Sequence, residues 1–179
     1  MSKEARRDTA TILDGDSNSP GIIQRLRDGS EGALALAFVD LLGQEIAFET
    51  IRALTRDRRI DLWFSFPEYD LRRNATLAPR DDDQAARWTR FFGTEDWRPI
   101  VKASRPATAL VGLRKLYERQ LASLGYLAAV SRLPMTNSRG KSMYRPMFAS
   151  RDPRGIDFFK KALQNSGVPK PATLMDFFG

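Results

Sequence analysis

The chain has no cysteine and no histidine among its 179 residues. That excludes a Ser-His-Asp triad, a thiol nucleophile, a zinc site built on imidazole or thiolate, and any disulfide framework. Carboxylates, hydroxyls, Lys, Arg and Tyr remain for chemistry, and no metal is expected. No apolar run approaches the roughly 20 residues that a membrane-spanning helix needs. The first forty residues hold no Gly-x-Gly, and no repeat or low-complexity segment is visible. The opening MSKEARRDTA carries basic residues without an apolar stretch behind them. It does not read as a secretory signal, so cytoplasmic residence is expected, with residues 1–10 as a flexible N-terminus.

What is present is basic. Twenty-nine Lys and Arg stand against 22 Asp and Glu, a formal net charge of +7, and a pI near 10.0 suits a polyanionic partner such as DNA while also serving solubility. A 42% hydrophobic and 28% charged composition is that of a globular domain with a real core, expected over residues 11–165.

Ile12 and Leu13, ahead of Asp14-Gly15-Asp16-Ser17-Asn18, read as the end of a short strand running into a turn. Ser19 or Asn18 then caps a helix opened by Pro20. ALALAFVD, residues 33–40, lacks alternation and reads as a central parallel strand covered by helices on both faces, with Asp40 at its C-terminal tip. Ala47, Ile51 and Leu54, with Phe48 beside them, predict a helix within 44–57. IDLWFSF, residues 60–66, reads as a second strand stopped by Pro67. Trp63, Phe64 and Phe66 in it are read as core in preference to a base-stacking platform. The three elements form a parallel crossover unit.

After a polar stretch, Asp81 to Asp83 predict the N-terminus of a helix over 81–93 that ends at Gly93. Residues 106–124 predict a further helix with Leu110, Leu113, Tyr117, Leu121 and Leu124 on one face, ended by Gly125. Residues 126–134 and 142–152 read as an antiparallel hairpin, and Pro146 inside the second strand argues for a bulge or an edge position. A short helix over 155–164 carries Ile156, Phe159 and Leu163 on one face. A Gly- and Pro-bearing tail, residues 166–179, follows. The expected fold is α/β: parallel strands ending in an antiparallel hairpin, helices on both faces, the order of the C-terminal half of a methyltransferase-like Rossmann sheet.

Several segments, in order, resemble the three-Cys-motif partner protein family (TcmP): GDSN (15–18), FVDLLG (38–43), RRIDLWFSFP (58–67), RRN (72–74), FFGTEDW (91–97), LYERQLASLGY (116–126) and YRPMFASRDPRGIDFF (144–159). The resemblance spans about residues 12–160. It implies a class I S-adenosylmethionine-binding architecture, a bacterial or phage-related setting of DNA modification or phage defence, and a three-Cys-motif protein as partner. In such a sheet Asp16 would accept a hydrogen bond from an adenine amino group, with Asn18 beside it; Asp16 equally reads as an Asx-turn residue ahead of Pro20. Asp40, at a strand tip where open α/β sheets collect ligands, would be the catalytic carboxylate that receives a proton or orients an amine.

Two departures shape that expectation. The family's Gly-rich cofactor loop has no counterpart here, which leaves the S-adenosylmethionine site half present. Leu41-Leu42 stand where the family has Pro-Tyr, and leucines can neither accept a hydrogen bond from a target amine nor stack on a base. The alternatives are a non-catalytic nucleic-acid- or protein-binding module, or a fragment completed by a partner polypeptide. A sheet that begins at Ile12 also leaves an open strand edge, so self-association or a partner chain is expected.

Arg72, Arg73 and Asn74, with Arg139 and Lys141 of the hairpin loop, fall on the edge that carries Asp40 if the strand at 126–134 runs parallel to the central strands. They read either as a solvated rim or as phosphate contacts to DNA. In PATLMDFF, Leu174, Phe177 and Phe178 have the spacing of peptides that dock on a DNA sliding clamp; the other reading is a tail folded onto its own domain.

Overall fold

A computed structural model describes residues 11–40, 43–131 and 134–165, with the side chains of the last helix described through Ala162. The elements are α1 (Pro20–Gly29), β1 (Leu34–Val39), α2 (Phe48–Thr55), β2 (Arg59–Phe66), α3 (Glu68–Asn74), α4 (Asp82–Phe92), α5 (Trp97–Ala103), α6 (Pro106–Ser123), β3 (Leu127–Val130), β4 (Met135–Thr136), β5 (Ser142–Ser150) and α7 (Pro153–Asn165). The strand order is β1-β2-β5-β3, with β4 beside the start of β5. β1 and β2 are parallel, while β5 is antiparallel to both β2 and β3. β3 therefore runs in the direction of β1 and β2, and the C-terminal ends of all three strands share one edge of the sheet. The chain is α/β with a mixed sheet, and among the described residues no helix is long and apolar enough to cross a membrane.

Alternation along β2 divides the core. Ile60, Leu62, Phe64 and Phe66 are buried on one face beneath Phe48 and Ile51 of α2, Trp88, Phe91 and Phe92 of α4, and Leu113, Tyr117 and Leu121 of α6. The Tyr117 ring lies against Phe48, Phe64, Phe66, Phe91 and Phe92, and its full burial pushes the hydroxyl well above the ordinary tyrosine range. The opposite face carries a smaller cluster: Phe148, Ala129, Ile156 and Phe159, with Trp63 packed on it. α7 supplies two of those residues, so it is the cover of that face.

Arginines finish α2. The Arg27 guanidinium donates to the carbonyls of Ala53, Leu54 and Arg56, and Arg151 donates to those of Thr55 and Arg58. Carbonyls at a helix C-terminus lack intrahelical donors, and a cation there also favours the helix dipole.

The local rules hold for the helices with strong caps. Ser19 caps α1 and Asp81 caps α4, where its carboxylate accepts from the Gln84 amide, and Gly93 closes α4 at φ 68°. α6 buries Ala109 and Leu116 together with Leu113, Tyr117 and Leu121, while Leu110 and Leu124 are partly buried against the same core. α3 and α5, each seven residues long, are too short to show a period, and the sequence pattern predicts neither.

Three expectations are corrected. Residues 11–13 form no strand, and Ile12 is 92% exposed; without a neighbouring strand two apolar residues gain nothing from extension. β1 is an edge strand instead of a central one, since it stands at the end of the order β1-β2-β5-β3, and the α7 cluster with Phe148, Ala129 and Trp63 does not include it. Its burial alternates, with Leu34, Leu36 and Phe38 exposed and Ala35, Ala37 and Val39 turned to the core. Pro146 lies in a central strand between β2 and β3 and is not at an edge. Its carbonyl accepts from the Ser131 amide at 2.8 Å. In an antiparallel ladder a residue's N–H and C=O point to the same side, so the absent N–H faces Ser131 and ends the β3–β5 ladder at Val130. The register irregularity of this hairpin lies further out, where Met135 pairs with Tyr144 and Thr136 with Ser142, so that Met143 is the extra residue.

Gly93 offers a direct check on packing. A Cβ there would lie 2.9 Å from the Phe48 side chain, whereas one at Gly140, with a similar φ of 72°, would meet nothing within 4 Å. Gly140→Ala is expected to cost about 1 kcal/mol for the left-handed backbone alone. Gly93→Ala adds the collision and is expected to lower the melting temperature at least twice as far, by roughly 4–8 °C. Equal losses in thermal unfolding would refute the close approach of α4 to α2.

Candidate functional site at the C-terminal strand edge

The edge is organised around a buried charge. Glu68, the first residue of α3, is buried. Its carboxylate accepts from Arg114 of α6 at 3.1 Å and from the Ser142 hydroxyl of β5 at 3.2 Å, and takes a two-pronged contact from the Arg145 guanidinium. Arg145 also donates to the Ser131 carbonyl. Burial of a carboxylate is tolerated when every oxygen is paired in good geometry, and a forked guanidinium supplies that. The network ties α3, α6 and β5 together just beyond the strand ends.

Two pairs of exposed cations are presented from this anchor. Arg72 and Arg73 lie on the exposed side of α3. Arg139 and Lys141 flank the hairpin turn, where Asn137 Oδ1 accepts from both of their backbone amides at 3.0 Å and Gly140 takes the left-handed conformation. Because β3 does run parallel to β1 and β2, this turn and α3 open on the same edge as Asp40. Asn74 is engaged inside α3, its amide donating to Asp70 Oδ1 at 2.8 Å.

Acidic groups stand nearer the sheet. Asp40 is exposed at the tip of β1. Partial burial raises the Tyr144 phenol above its ordinary pKa, and the charges of Asp40, Glu45 and Asp70 raise it further. Tyr144 therefore stays protonated, a donor facing carboxylates. Asp70 is raised above the usual carboxylate range by burial, against the opposing pull of Asn74, Arg73, Arg87 and Gln44. A Cβ at Gly43 would come within 3.2 Å of Asp70 Oδ2, which brings the chain after β1 close to α3.

Asp16 and Asn18 form the adjoining turn. Asp16 Oδ1 accepts from the Asn18 backbone amide at 2.9 Å and its side-chain amide at 3.1 Å. Those bonds, helped by Arg90, hold the carboxyl below its ordinary pKa. Asn18 Oδ1 accepts from the Ala47 amide and the Thr50 hydroxyl, both at 2.8 Å, and Nδ2 donates to the Glu45 carbonyl at 2.9 Å. Ala47 has no capping side chain of its own, so Asn18 satisfies the start of α2 from a distant point in the sequence. Asp16 thus adopts the Asx-turn geometry, and the Asn18 amide is engaged within the chain.

The structure brings Asp40, Arg72, Arg73, Asn74, Arg139 and Lys141 to one edge, with Asp16 and Asn18 adjoining through Glu45. Leu41 and Leu42, and the tail residues Leu174, Phe177 and Phe178, lie outside the described residues. Tyr144, Asp70, Arg87 and Arg90 join the edge without having been singled out. Arg87 and Arg90 are an exposed i, i+3 pair on α4, a signal readable in RWTR only once that helix is known to pass the strand tips. Among the described residues no three acidic side chains are grouped to hold a metal ion. The arrangement offers a carboxylate acceptor and a phenol donor inside a fringe of arginine. Comparisons with protein-family models, curated proteins and solved structures find no match.

The anchor can be tested by Glu68→Ala. Leaving two guanidiniums without their carboxylate is expected to cost about 3–5 kcal/mol, which corresponds to a fall in melting temperature of roughly 10 °C. Glu68→Gln keeps one acceptor oxygen and is expected to lose less. A melting temperature unchanged in Glu68→Ala would show that the network anchors nothing.

Proposed function

We propose that the chain is a TcmP-like protein with the C-terminal half of a methyltransferase-type Rossmann sheet, and that it acts in DNA modification or phage defence. The observation that carries this reading is the strand order β1-β2-β5-β3. Three strands share one direction, and the single reversed strand is inserted before the last. Asp40 then stands where an acceptor amine or hydroxyl would be oriented, with Tyr144 as donor. S-adenosylmethionine, where bound, would supply the methyl group; this chain's part is to orient the acceptor and hold its backbone. The missing Gly-rich turn is what a backbone needs to approach the methionine end of that cofactor closely. A three-Cys-motif protein is the partner the family resemblance suggests.

Titration of the chain alone with S-adenosylmethionine in a calorimeter is accordingly expected to give no saturable binding in the micromolar range. Saturable micromolar binding would overturn the half-site reading.

The basic rim supports a second reading, a non-catalytic nucleic-acid-binding module, since Arg72, Arg73, Arg139 and Lys141 contact phosphate equally well with or without chemistry. Replacing Arg72 and Arg73 together by Ala is expected to weaken duplex DNA binding to a similar extent across unrelated sequences. It should also flatten the dependence of log affinity on log salt by about 2, near 0.9 for each phosphate that is no longer neutralised. An unchanged slope would remove DNA from both readings. The two part on whether adding a three-Cys-motif protein confers S-adenosylmethionine binding.

A further inference from the structure

The outer face of β1 is bare. Leu34, Leu36 and Phe38 are 68%, 60% and 63% exposed, and they form a stripe along a strand of about 20 Å. A parallel strand normally has both faces covered, and here the helix layer stops one position short. Phe38 stacks on Trp63 at 6.2 Å, and Trp63 in turn meets Phe159 of α7 at 5.2 Å. On α7, a Cβ at Gly155 would approach Ser150 Oγ of β5 and Asp61 Oδ2 of β2. Helical spacing sets Phe158 on the flank near Gly155, toward β1. Phe158 is 74% exposed. The face is therefore a trough with Leu34, Leu36 and Phe38 as its floor and Phe158 on its wall.

We propose that the trough is occupied by the chain's own C-terminal segment, residues 171–178. The course of α7 supports this. Gly155 is level with Asp61, and Phe159 is level with Trp63 and Phe148, so α7 runs in the direction of β1 and β2. Its 13 residues span about 20 Å, which brings Asn165 to the strand-end edge beside the open column. Fourteen residues follow, SGVPKPATLMDFFG. Residues 166–173 reach up to roughly 26 Å when extended, while the next position in a helix layer is only about 10 Å away. The segment Leu174–Phe178 is then long enough to lie back over Phe38 and Leu36. One helical turn sets Leu174, Phe177 and Phe178 on one side. This occupancy concerns the face of β1 and leaves its hydrogen-bonding edge, and the proposed function, untouched.

The absence of cysteine makes the test direct. Leu36→Cys combined with Leu174→Cys or with Phe177→Cys introduces the only thiols in the chain. Oxidation at low protein concentration is expected to give an internal disulfide in the monomer for at least one pair, and none for Thr76→Cys with Phe177→Cys. Removing residues 171–179 is expected to lower the melting temperature by several degrees and to raise the binding of an apolar-surface dye. Disulfides formed only between chains would overturn the proposal in favour of a second copy on the face. No disulfide, together with an unchanged melting temperature, would also overturn it and leave the tail as a peptide for another protein, a sliding clamp among them, testable by binding of the intact chain to purified clamp.

Discussion

The requirement that the Glu68 carboxylate be neutralised where water is excluded organises the functional end of the molecule. Three elements distant in sequence, α3, α6 and β5, each contribute a group to it. α3 buries two residues just beyond β2, Leu71 in the apolar core and Glu68 in this network. A hydrogen-bonded ion network fixes direction as well as distance, and direction is what an exposed rim of Arg72, Arg73, Arg139 and Lys141 needs in order to present its charges together.

The charges of this chain are sorted by task. Arg27 and Arg151 complete the C-terminus of α2, and Arg114 and Arg145 offset a buried acid. They are engaged by the fold itself, Arg151 from an exposed position. Other cations stand at the surface, among them Arg72 and Arg73 of α3, Arg87 and Arg90 of α4, and Arg139 and Lys141 of the hairpin turn. Composition alone could count the cations without telling one group from the other.

What could be read in the sequence was the part governed by local chemistry. Asp81 and Gly93 delimit α4 because a carboxylate at an N-terminus and a left-handed residue at a C-terminus act within one turn. The strands at 34–39 and 59–66 and their parallel relation followed from two apolar runs separated by a helical period. The rest depended on neighbours. The run ALALAFVD is apolar at every position but the last, which is compatible with a covered strand, yet only the placement of α7 decides that Leu34, Leu36 and Phe38 face outward. Asn18 looked like a ligand residue in a turn, and its bonds to Ala47 and Thr50 reach across the α1–α2 layer, beyond any local rule. Tyr144 opens one of the segments that carry the resemblance, yet nothing local marks its phenol; the carboxylates that act on it come from separate segments.

Pro146 divides the long hairpin into two lengths. The inner length, β3 with the second half of β5, belongs to the main sheet and is backed by α7. The outer length, β4 with the start of β5 and the turn at Asn137, is held by Glu68 and by the turn's own hydrogen bonds. Among the described residues the β3–β5 ladder stops at Val130, because Pro146 has no hydrogen to give on that side. The placing of Arg139 and Lys141 is thus set through side chains, by Ser142 and Arg145 on Glu68 and by Asn137 in the turn.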